Sequence, residues 1–522
     1  QGFLSVTRCG EHSNMDICSA SFHDMEFASY GTQNCTASFI PTQHDIDLCS
    51  VPLTVAFWIT LALGAVLLLY IPKQIFQALF VAVKFSLHYT GIKEDADIPQ
   101  IMSESVWLIH GKLYDLDSWA AHHPGGAHAL DLGRNRDCTG LFESYHVFVD
   151  RDALDKMLQR FEITPDRVNS SSVDLKATLS MTDFTCSFHE DVKKFARQHF
   201  KDKSHKMKPW WACMLSIIFI LVIAVTVSHL KGSLAALWLM PLFHWLLAVN
   251  VAHDASHFAV SSRPWLNKLL CYSAMPLLFG PTAWYIQHVV QHHLYTNTED
   301  DVDLFHFLPV VRTTKITKFT ERFKYQVYLG FLMIPTALVH FLFVGPLELL
   351  SGATDVKGVK FYQQCQNLGD YIARKRGDLL AEFLVMCLWV AANIYAHGMW
   401  MGWGRMIVSW TVSGYLFLIF TQGAHLHGDC QEHHDESWAK RQVNAAIAFQ
   451  PESYLWLFLS GGLNMQSLHH VIPGVASCHL RDMWPGYQAV CQKHGVHLKE
   501  SSNLFDFFRG FLSWVHELSS ET

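Results

Sequence analysis

The sequence predicts a mostly α-helical integral membrane protein that carries a small soluble α+β domain. Three observations lead there. The 522-residue chain is 50% hydrophobic and only 16% charged, where soluble globular chains carry about 25% charged residues. Uncharged apolar runs long enough to span a bilayer recur along it, two of them paired as hairpins. Histidines number 32, against 39 for Lys and Arg together, and histidine is a common metal ligand but a poor lipid-facing residue. Mean hydropathy is +0.14 and the pI is near 6.5. This composition excludes a disordered chain, an ordinary soluble enzyme and a nucleic-acid binder resting on a basic surface. At roughly 150 residues per domain the chain holds about three folding units.

Residues 1–50 read as a polar leader, either lumenal or non-native. The chain opens on Gln1 rather than Met, as a processed or truncated end would. Val51–Ile71 is uncharged, and about 21 residues at 1.5 Å each suffice to cross the hydrocarbon core, so 51–72 is expected to be an extra span. Asp45 and Asp47 precede it; Lys73, Lys84 and Lys93 follow. The positive-inside rule then puts residues 1–50 outside, making Asn34 a glycosylation acceptor and letting Cys9, Cys18, Cys35 and Cys49 oxidise. The 13 cysteines form no Cys-x-x-Cys pair, so neither a zinc ribbon nor a general disulfide scaffold is expected.

Residues 100–165 read as a soluble domain of alternating strands and short helices. A Ser-, Asp- and Thr-rich linker and a basic pre-membrane segment fill 166–208. Pro209–Leu230 and Ser233–Ala252 read as a hairpin with Lys231 alone in its turn. A second hairpin follows Arg374, Lys375 and Arg376, with spans near Leu379–Met399 and Met406–Gly423 and Arg405 in the turn. Both ends of each hairpin are then cytosolic. Val327–Gly345, broken by Pro335 and His340, reads as an interfacial or re-entrant segment, since a full span there would put the histidine clusters on opposite faces. Residues 501–522 are expected to be a tail.

His123-Pro124-Gly125-Gly126 follows Val106 to Asp115, and Phe142-Glu143-Ser144-Tyr145-His146 comes next. Two imidazoles on opposed loops can clamp a haem iron from both faces, excluding dioxygen and leaving a one-electron carrier. Residues 101–165 resemble a cytochrome b5 domain. The resemblance implies haem b with axial ligands His123 and His146. His110, His122 and His128 read as solvated.

Three further clusters are His253-Asp254-Ala255-Ser256-His257, His288-Val289-Val290-Gln291-His292-His293 and Gln466-Ser467-Leu468-His469-His470. Residues i and i+4 share a helix face, so His253 pairs with His257 and His288 with His292, while His293 reaches sideways. Seven histidines on one membrane face exceed the needs of one tetrahedral zinc. A two-metal site is the economical reading, and imidazole suits iron among other metals.

This pattern resembles the membrane fatty acid desaturases. Gln466 at the head of the third box, together with the cytochrome b5 domain, resembles the front-end branch. Tyr295-Thr296-Asn297, Trp438 to Val443 and Gly461 to Met465 add to the likeness, which spans about residues 100–500. Ser467-Leu468 and Val471-Ile472-Pro473 depart from the family's usual Ile-Glu and Leu-Phe-Pro without touching the ligand pattern. The resemblance implies a desaturase fold over 209–500, with two transmembrane hairpins and a cytosolic helical cap. It also implies two iron ions held by His253, His257, His288, His292, His293, His469 and His470. An eighth ligand just after the last span falls to His425, with His427 the competitor. Gln466 either ligates or orients a ligand, and Asp254 and Asp303 are candidates to support ligands from behind. His306, His340 and His397 read as structural and His433-His434 as solvated.

The implied reaction places a cis double bond between an existing one and the carboxyl end of a polyunsaturated acyl chain. That chain is carried on coenzyme A or a phospholipid. Dioxygen is reduced to water with two electrons from the substrate and two from outside, delivered singly by the haem domain. The implied setting is the endoplasmic reticulum membrane, with haem and irons facing the cytosol and NADH–cytochrome b5 reductase as electron donor; no nucleic-acid partner is implied. A sphingolipid long-chain-base desaturase and a cytochrome b5-fused hydroxylase are alternatives. A zinc hydrolase built on His253 and His257 leaves four or more histidines unexplained, and a haem electron carrier leaves all three boxes unexplained.

Overall fold

The computed structural model describes residues 105–164, 183–298, 301–305, 307–308, 311–328, 338, 342, 368–431 and 437–521. The expected leader, the extra span 51–72, linker residues 166–182 and most of 327–345 lie outside the described residues, as do His306, His340, His433 and His434.

The small domain begins with a hairpin, β1 (Trp107–Ile109) and β2 (Lys112–Tyr114), pairing Trp107 with Tyr114. His110 and Gly111 turn it with φ of 49° and 74°, the left-handed pair that matches strand twist. Helices α1 (Gly126–Asp131), α2 (Thr139–Tyr145) and α3 (Arg151–Leu158) follow, and β3 (Glu162–Ile163) closes the sheet antiparallel to β2. Trp107, Tyr114, Phe142, Leu154 and Leu158 form its core. His110 bonds Glu143 at 2.6 Å rather than facing water alone.

Helix α4 (Ser187–His199) buries Phe188, Val192 and Ala196 completely, a stripe at the helical period. Its Lys193 reaches back to Glu143 in α2, which also pairs with Arg151. Burial alone would raise the Glu143 pKa. The hydrogen bond from His110 and the charges of Lys193 and Arg151 outweigh it and hold the carboxyl far below its usual range.

The first hairpin is α5 (Pro209–Leu230) and α6 (Leu234–Ser256). Helix α5 turns Ile217, Phe219, Ile220 and Ile223 outward, as a lipid-facing helix does. Helix α6 packs on α5 and against the helix Met399–Gln422 of the second hairpin. Helix α7 (Pro264–Cys271) and α8 (residues 281–295) lie between the hairpins. The second hairpin is α9 (Leu368–His397) and α10 (Met399–Gln422).

Here the structure corrects the expected turn. The chain reverses at Gly398, whose φ of 76° suits glycine, and Arg405 lies inside α10. Its guanidinium donates to the carbonyls of His229 (3.2 Å), Gly232 (3.4 Å) and Ser233 (2.6 Å), capping the end of α5. Nearby, His229 Nε2 donates to Asn393 Oδ1 across the hairpins at 2.8 Å, and His397 lies against the His229 ring.

Beyond the spans come α11 (Trp438–Asn444), α12 (Tyr454–Ser460), α13 (Gln466–Val471), α14 (Leu480–Lys493) and α15 (Leu504–Glu517). Strands β4 (Ile447–Phe449) and β5 (Lys499–Ser501) pair in parallel. The expected tail is thus folded: α15 buries Phe507, Phe511 and Trp514, and Trp514 donates to Thr313 O at 2.9 Å.

Arg405→Met should strand three carbonyls at one end of the hairpins and cost about 1–3 kcal/mol. Thermal unfolding in detergent reads this as a lowered midpoint, with Arg405→Lys falling between variant and native.

Candidate functional site

His123 lies in the turn before α1, and His146 directly follows α2. Their ring centroids stand 6.1 Å apart, room for one metal ion bonded to both at about 2 Å. His146 Nδ1 donates to Phe142 O at 2.8 Å and His123 Nδ1 to Gly126 O at 3.3 Å. A carbonyl only accepts, so each ring keeps Nε2 as a free lone pair. Burial, and then the neighbouring ring, lower His123 to about 4. A cavity of about 570 Å³ opens between the rings. Trp107, Leu116, Phe142 and Leu154 of the small domain line it, together with His257 and Phe258. Two facing lone pairs in an apolar cleft fit a haem.

The three histidine boxes meet in one buried place. His253, His257, His288 and His469 form one group; His292, His425 and His470 form a second. His288 Nε2 lies 3.1 Å from His253 Nε2, 3.1 Å from His257 Nε2 and 3.2 Å from His293 Nε2. A neutral imidazole has one N–H, so one proton serves one of these contacts and the others set lone pair against lone pair. Burial and the neighbouring rings hold His257, His288, His293, His425, His469 and His470 well below the usual histidine value, so extra protons do not relieve the crowding. A cation at each group does. The donor set fits two metal ions.

Local helix geometry places these rings. α6 ends with a π-helical turn, Ala248–Ala252, before His253; α8 is π-helical over Tyr285–His292; α10 ends with one over Leu418–Gln422 before His425. A π turn bonds i to i+5. His288 and His293, five apart, therefore meet, while His292 turns to the second group. His288 and His292 also stay together as expected: their rings stack 5.5 Å apart, and both group with Asp303. His253 and His257 share a group as expected.

Each group is held from behind. His425 Nδ1 donates to Ala445 O at 2.8 Å, and His470 Nδ1 to Gln442 Oε1 at 2.9 Å. His292 Nδ1 donates to both oxygens of Asp301 at 3.1 Å. Burial would lower His292, but Asp301 and Asp303 outweigh it and raise it to about 9, so the site favours positive charge there. His257 Nδ1 meets the Tyr145 hydroxyl at 2.7 Å. Asn297 Nδ2 donates to His425 O and Cys430 O, tying two loops together. Such partners fix tautomer and ring orientation.

Gln466 Nε2 lies 3.0 Å from His425 Nε2 and 3.2 Å from His470 Nε2, while its Oε1 is buried without a partner. With the amide turned over, that oxygen faces the second group. Asp254 accepts from Ser477 N and Oγ at 2.9 Å and stays 4.0 Å from His253 Nδ1. Asp303 accepts from Gln287 at 3.0 Å. His427 does not join the group; its ring packs against Phe507. His128 is not solvated either: it wedges against Tyr285, ring centroids 4.3 Å apart, and Phe258. Sequence reasoning missed Asp301, Gln442 and Tyr145. Asp301 sits in an acidic run nine residues after His292, a signal that could have marked it; nothing local marks the other two.

A membrane-helix scaffold holding a two-metal histidine site beside a haem cleft defines an oxygen-activating enzyme class. The fatty acid desaturase family model matches residues 228–502, and the model of the cytochrome b5-like haem/steroid binding domain matches residues 100–165. An acyl-lipid omega-13 desaturase of Chlamydomonas reinhardtii is 28% identical over 458 residues, 78% of this chain and 91% of the relative. An acyl-lipid (8-3)-desaturase of Physcomitrium patens is 30% identical over 417 residues, covering 75% and 83%. Acyl-lipid (8-3)-desaturase B of Dictyostelium discoideum is 26% identical over 450 residues, covering 80% and 91%. The chain belongs to the fatty acid desaturase family. It is a di-iron oxidoreductase of fatty acyl chains, an integral membrane protein with a fused cytochrome b5 domain.

Asp301→Asn should weaken iron retention by about 10–100-fold, measured as iron per chain after dialysis against a chelator, with the haem spectrum unchanged.

Proposed function

We propose that the protein is a front-end desaturase in which His253, His257, His288, His293 and His469 hold one iron and His292, His425, His470 and Gln466 the other. His123 and His146 hold the haem. The convergence of imidazole nitrogens from the end of α6, from α8 and from the turn after α10 at 3.1–3.3 Å, with His469 and His470 of α13 grouped among them, supports this reading most directly. When bound, the irons supply the oxidising power needed to take hydrogen from an unactivated methylene, using dioxygen. The chain's own residues bind, orient and keep water out. Trp284 stacks on His288 at 4.1 Å and Phe279 stacks on Trp284 at 4.0 Å. With Leu278, Leu338 and Phe417, Phe279 and Trp284 line a small apolar pocket behind His288.

The basic segment Lys201–Lys208 before α5 and the cluster Arg374–Arg376 in α9 put these ends of the hairpins in the cytosol. Haem cleft and histidine groups lie at the same ends. NADH–cytochrome b5 reductase at the endoplasmic reticulum then supplies the electrons, and the acyl chain arrives on coenzyme A or a phospholipid. Two of the similar proteins are (8-3)-desaturases, in keeping with front-end chemistry.

Expression in yeast with a panel of polyunsaturated acids tests this. Gas chromatography with mass detection should show a product lighter by two hydrogens, its new double bond on the carboxyl side. A product heavier by one oxygen, or unsaturation confined to the yeast's own long-chain bases, would overturn the reading. His292→Ala should remove the product entirely while the reduced-haem absorption persists.

A further inference from the structure

Tyr145 stands between the two redox sites. It is the last residue of α2, one peptide bond before His146. Its hydroxyl lies 2.7 Å from His257 Nδ1, and the two rings are near parallel at 16° with centroids 6.3 Å apart. On its far side, His257 Nε2 looks into the first histidine group, 3.1 Å from His288 Nε2. Tyr145 also lines the haem cavity and crosses Phe258 edge-on. It touches the loop after the third box, 3.6 Å from where a Cβ on Gly474 would stand.

We propose that Tyr145 is the positioning residue that couples the haem to the iron pair, carrying electrons through bonds from His146 to His257. The inference rests on the ligand assignments above. Its route consists of the His146 ring, one peptide unit, the tyrosine side chain and a single hydrogen bond. With His257 Nε2 turned to a metal, Nδ1–H donates to the phenol oxygen, which fixes the ring's tautomer as an outer partner does. Phenylalanine would fill the same space, so only the hydrogen bond calls for tyrosine. Each crossing takes one electron from ferrous haem, leaving it ferric, and reduces one ferric non-haem iron to ferrous. Two crossings serve one turnover, the haem being refilled between them by a reduced flavoprotein. Tyr145 keeps its proton throughout.

Other contacts hold Tyr145 in register. Asp131 in α1 accepts from Arg374 at 2.7 Å and Lys375 at 2.9 Å, both at the start of α9. Glu143 pairs with Lys193, and Arg197 donates to Val147 O at 3.1 Å. A Cβ on Gly140 would strike Leu294 at 2.6 Å, so α2 approaches α8 as closely as a glycine allows. The competing route is a direct jump from the haem edge, since His257 and Phe258 line the same cavity.

The test uses full-length protein in detergent, its haem reduced without oxygen by NADH and a cytochrome b5 reductase, then mixed with dioxygen and acyl substrate. Stopped-flow absorbance follows haem reoxidation. In Tyr145→Phe the first-order rate should fall at least tenfold, with haem spectrum, haem midpoint potential and iron content as in the native protein. A rate within twofold of native, or slowing only in proportion to lost iron, would overturn the proposal and favour the direct jump. Asp131→Lys, which loosens the docked domain without touching either metal site, should slow reoxidation similarly, and adding Arg374→Asp should restore part of it; native-speed reoxidation in Asp131→Lys would overturn it too. Failure of the underlying assignment looks different: native protein would then lack a two-imidazole haem spectrum, or its haem would stay reduced on adding dioxygen and substrate.

Discussion

Imidazole lone pairs crowded together without water are the constraint on which the rest of this structure depends. Around His288 Nε2, three other Nε2 atoms stand within 3.2 Å, and burial denies most of these rings the protons that would relieve them. Such a cluster is costly by itself, because buried polar atoms need partners. It becomes favourable around cations. The surrounding structure makes sense as support for that outcome. Ala445 O, Gln442 and Asp301 each take the outward N–H of one ring, which for His425 and His470 leaves the inner nitrogen bare. Asp301 and Asp303 add negative charge behind His292, the one ring of the cluster held above the usual histidine value. These three partners thereby do for the second group what packing alone could not: they fix ring orientation.

Membrane helices carry this cluster, and their irregularities are part of the design. An unbroken α-helix repeats its face at i+4, so His288 and His292 would serve one ion and His293 would point away. The π-helical stretch Tyr285–His292 shifts the repeat to i+5. One helix can then feed both groups: His288 meets His293, while His292, stacked beside His288, also reaches His425 and His470. The π turns ahead of His253 and His425 fall at the same point in their helices, where a span gives way to the ligands.

Much of this was readable from sequence, for reasons that also mark where reading stops. Pro209–Leu230 was legible to the residue because twenty-odd uncharged positions bounded by Lys208 and Lys231 leave little choice. The haem clamp was legible because a Pro-Gly-Gly turn beside a histidine is local. Arg405 was misplaced because a charge among apolar residues reads as a turn; the carbonyls at the end of α5 that accept it lie more than 170 residues away. α15 was taken for a tail because an amphipathic segment after the last box shows its periodicity but not the surface it covers. Gln442 and Tyr145 act through hydrogen bonds to distant histidines, and the 112 positions separating Tyr145 from His257 leave no trace in either neighbourhood. Periodicity reports what a segment does to itself; the outer support of a metal site belongs to the assembled fold.

The haem domain shows how modest contacts suffice when partners share a chain. Its links to the membrane part include an ion-pair cluster at Asp131, another at Glu143, the close approach of Gly140 to Leu294, His128 wedged against Tyr285, and one phenol hydrogen bond. These ion pairs are largely shielded from water, but between separate proteins even such an interface would depend on concentration. Covalent linkage replaces that concentration with a large effective one, so the same few contacts hold the domain in place. A stronger seal would gain nothing further and would carry a penalty. The cleft that delivers electrons to His257 must also receive them, and a haem locked against Phe258 would be harder for an incoming reductant to approach. Contacts that orient Tyr145 without burying the whole domain satisfy both demands.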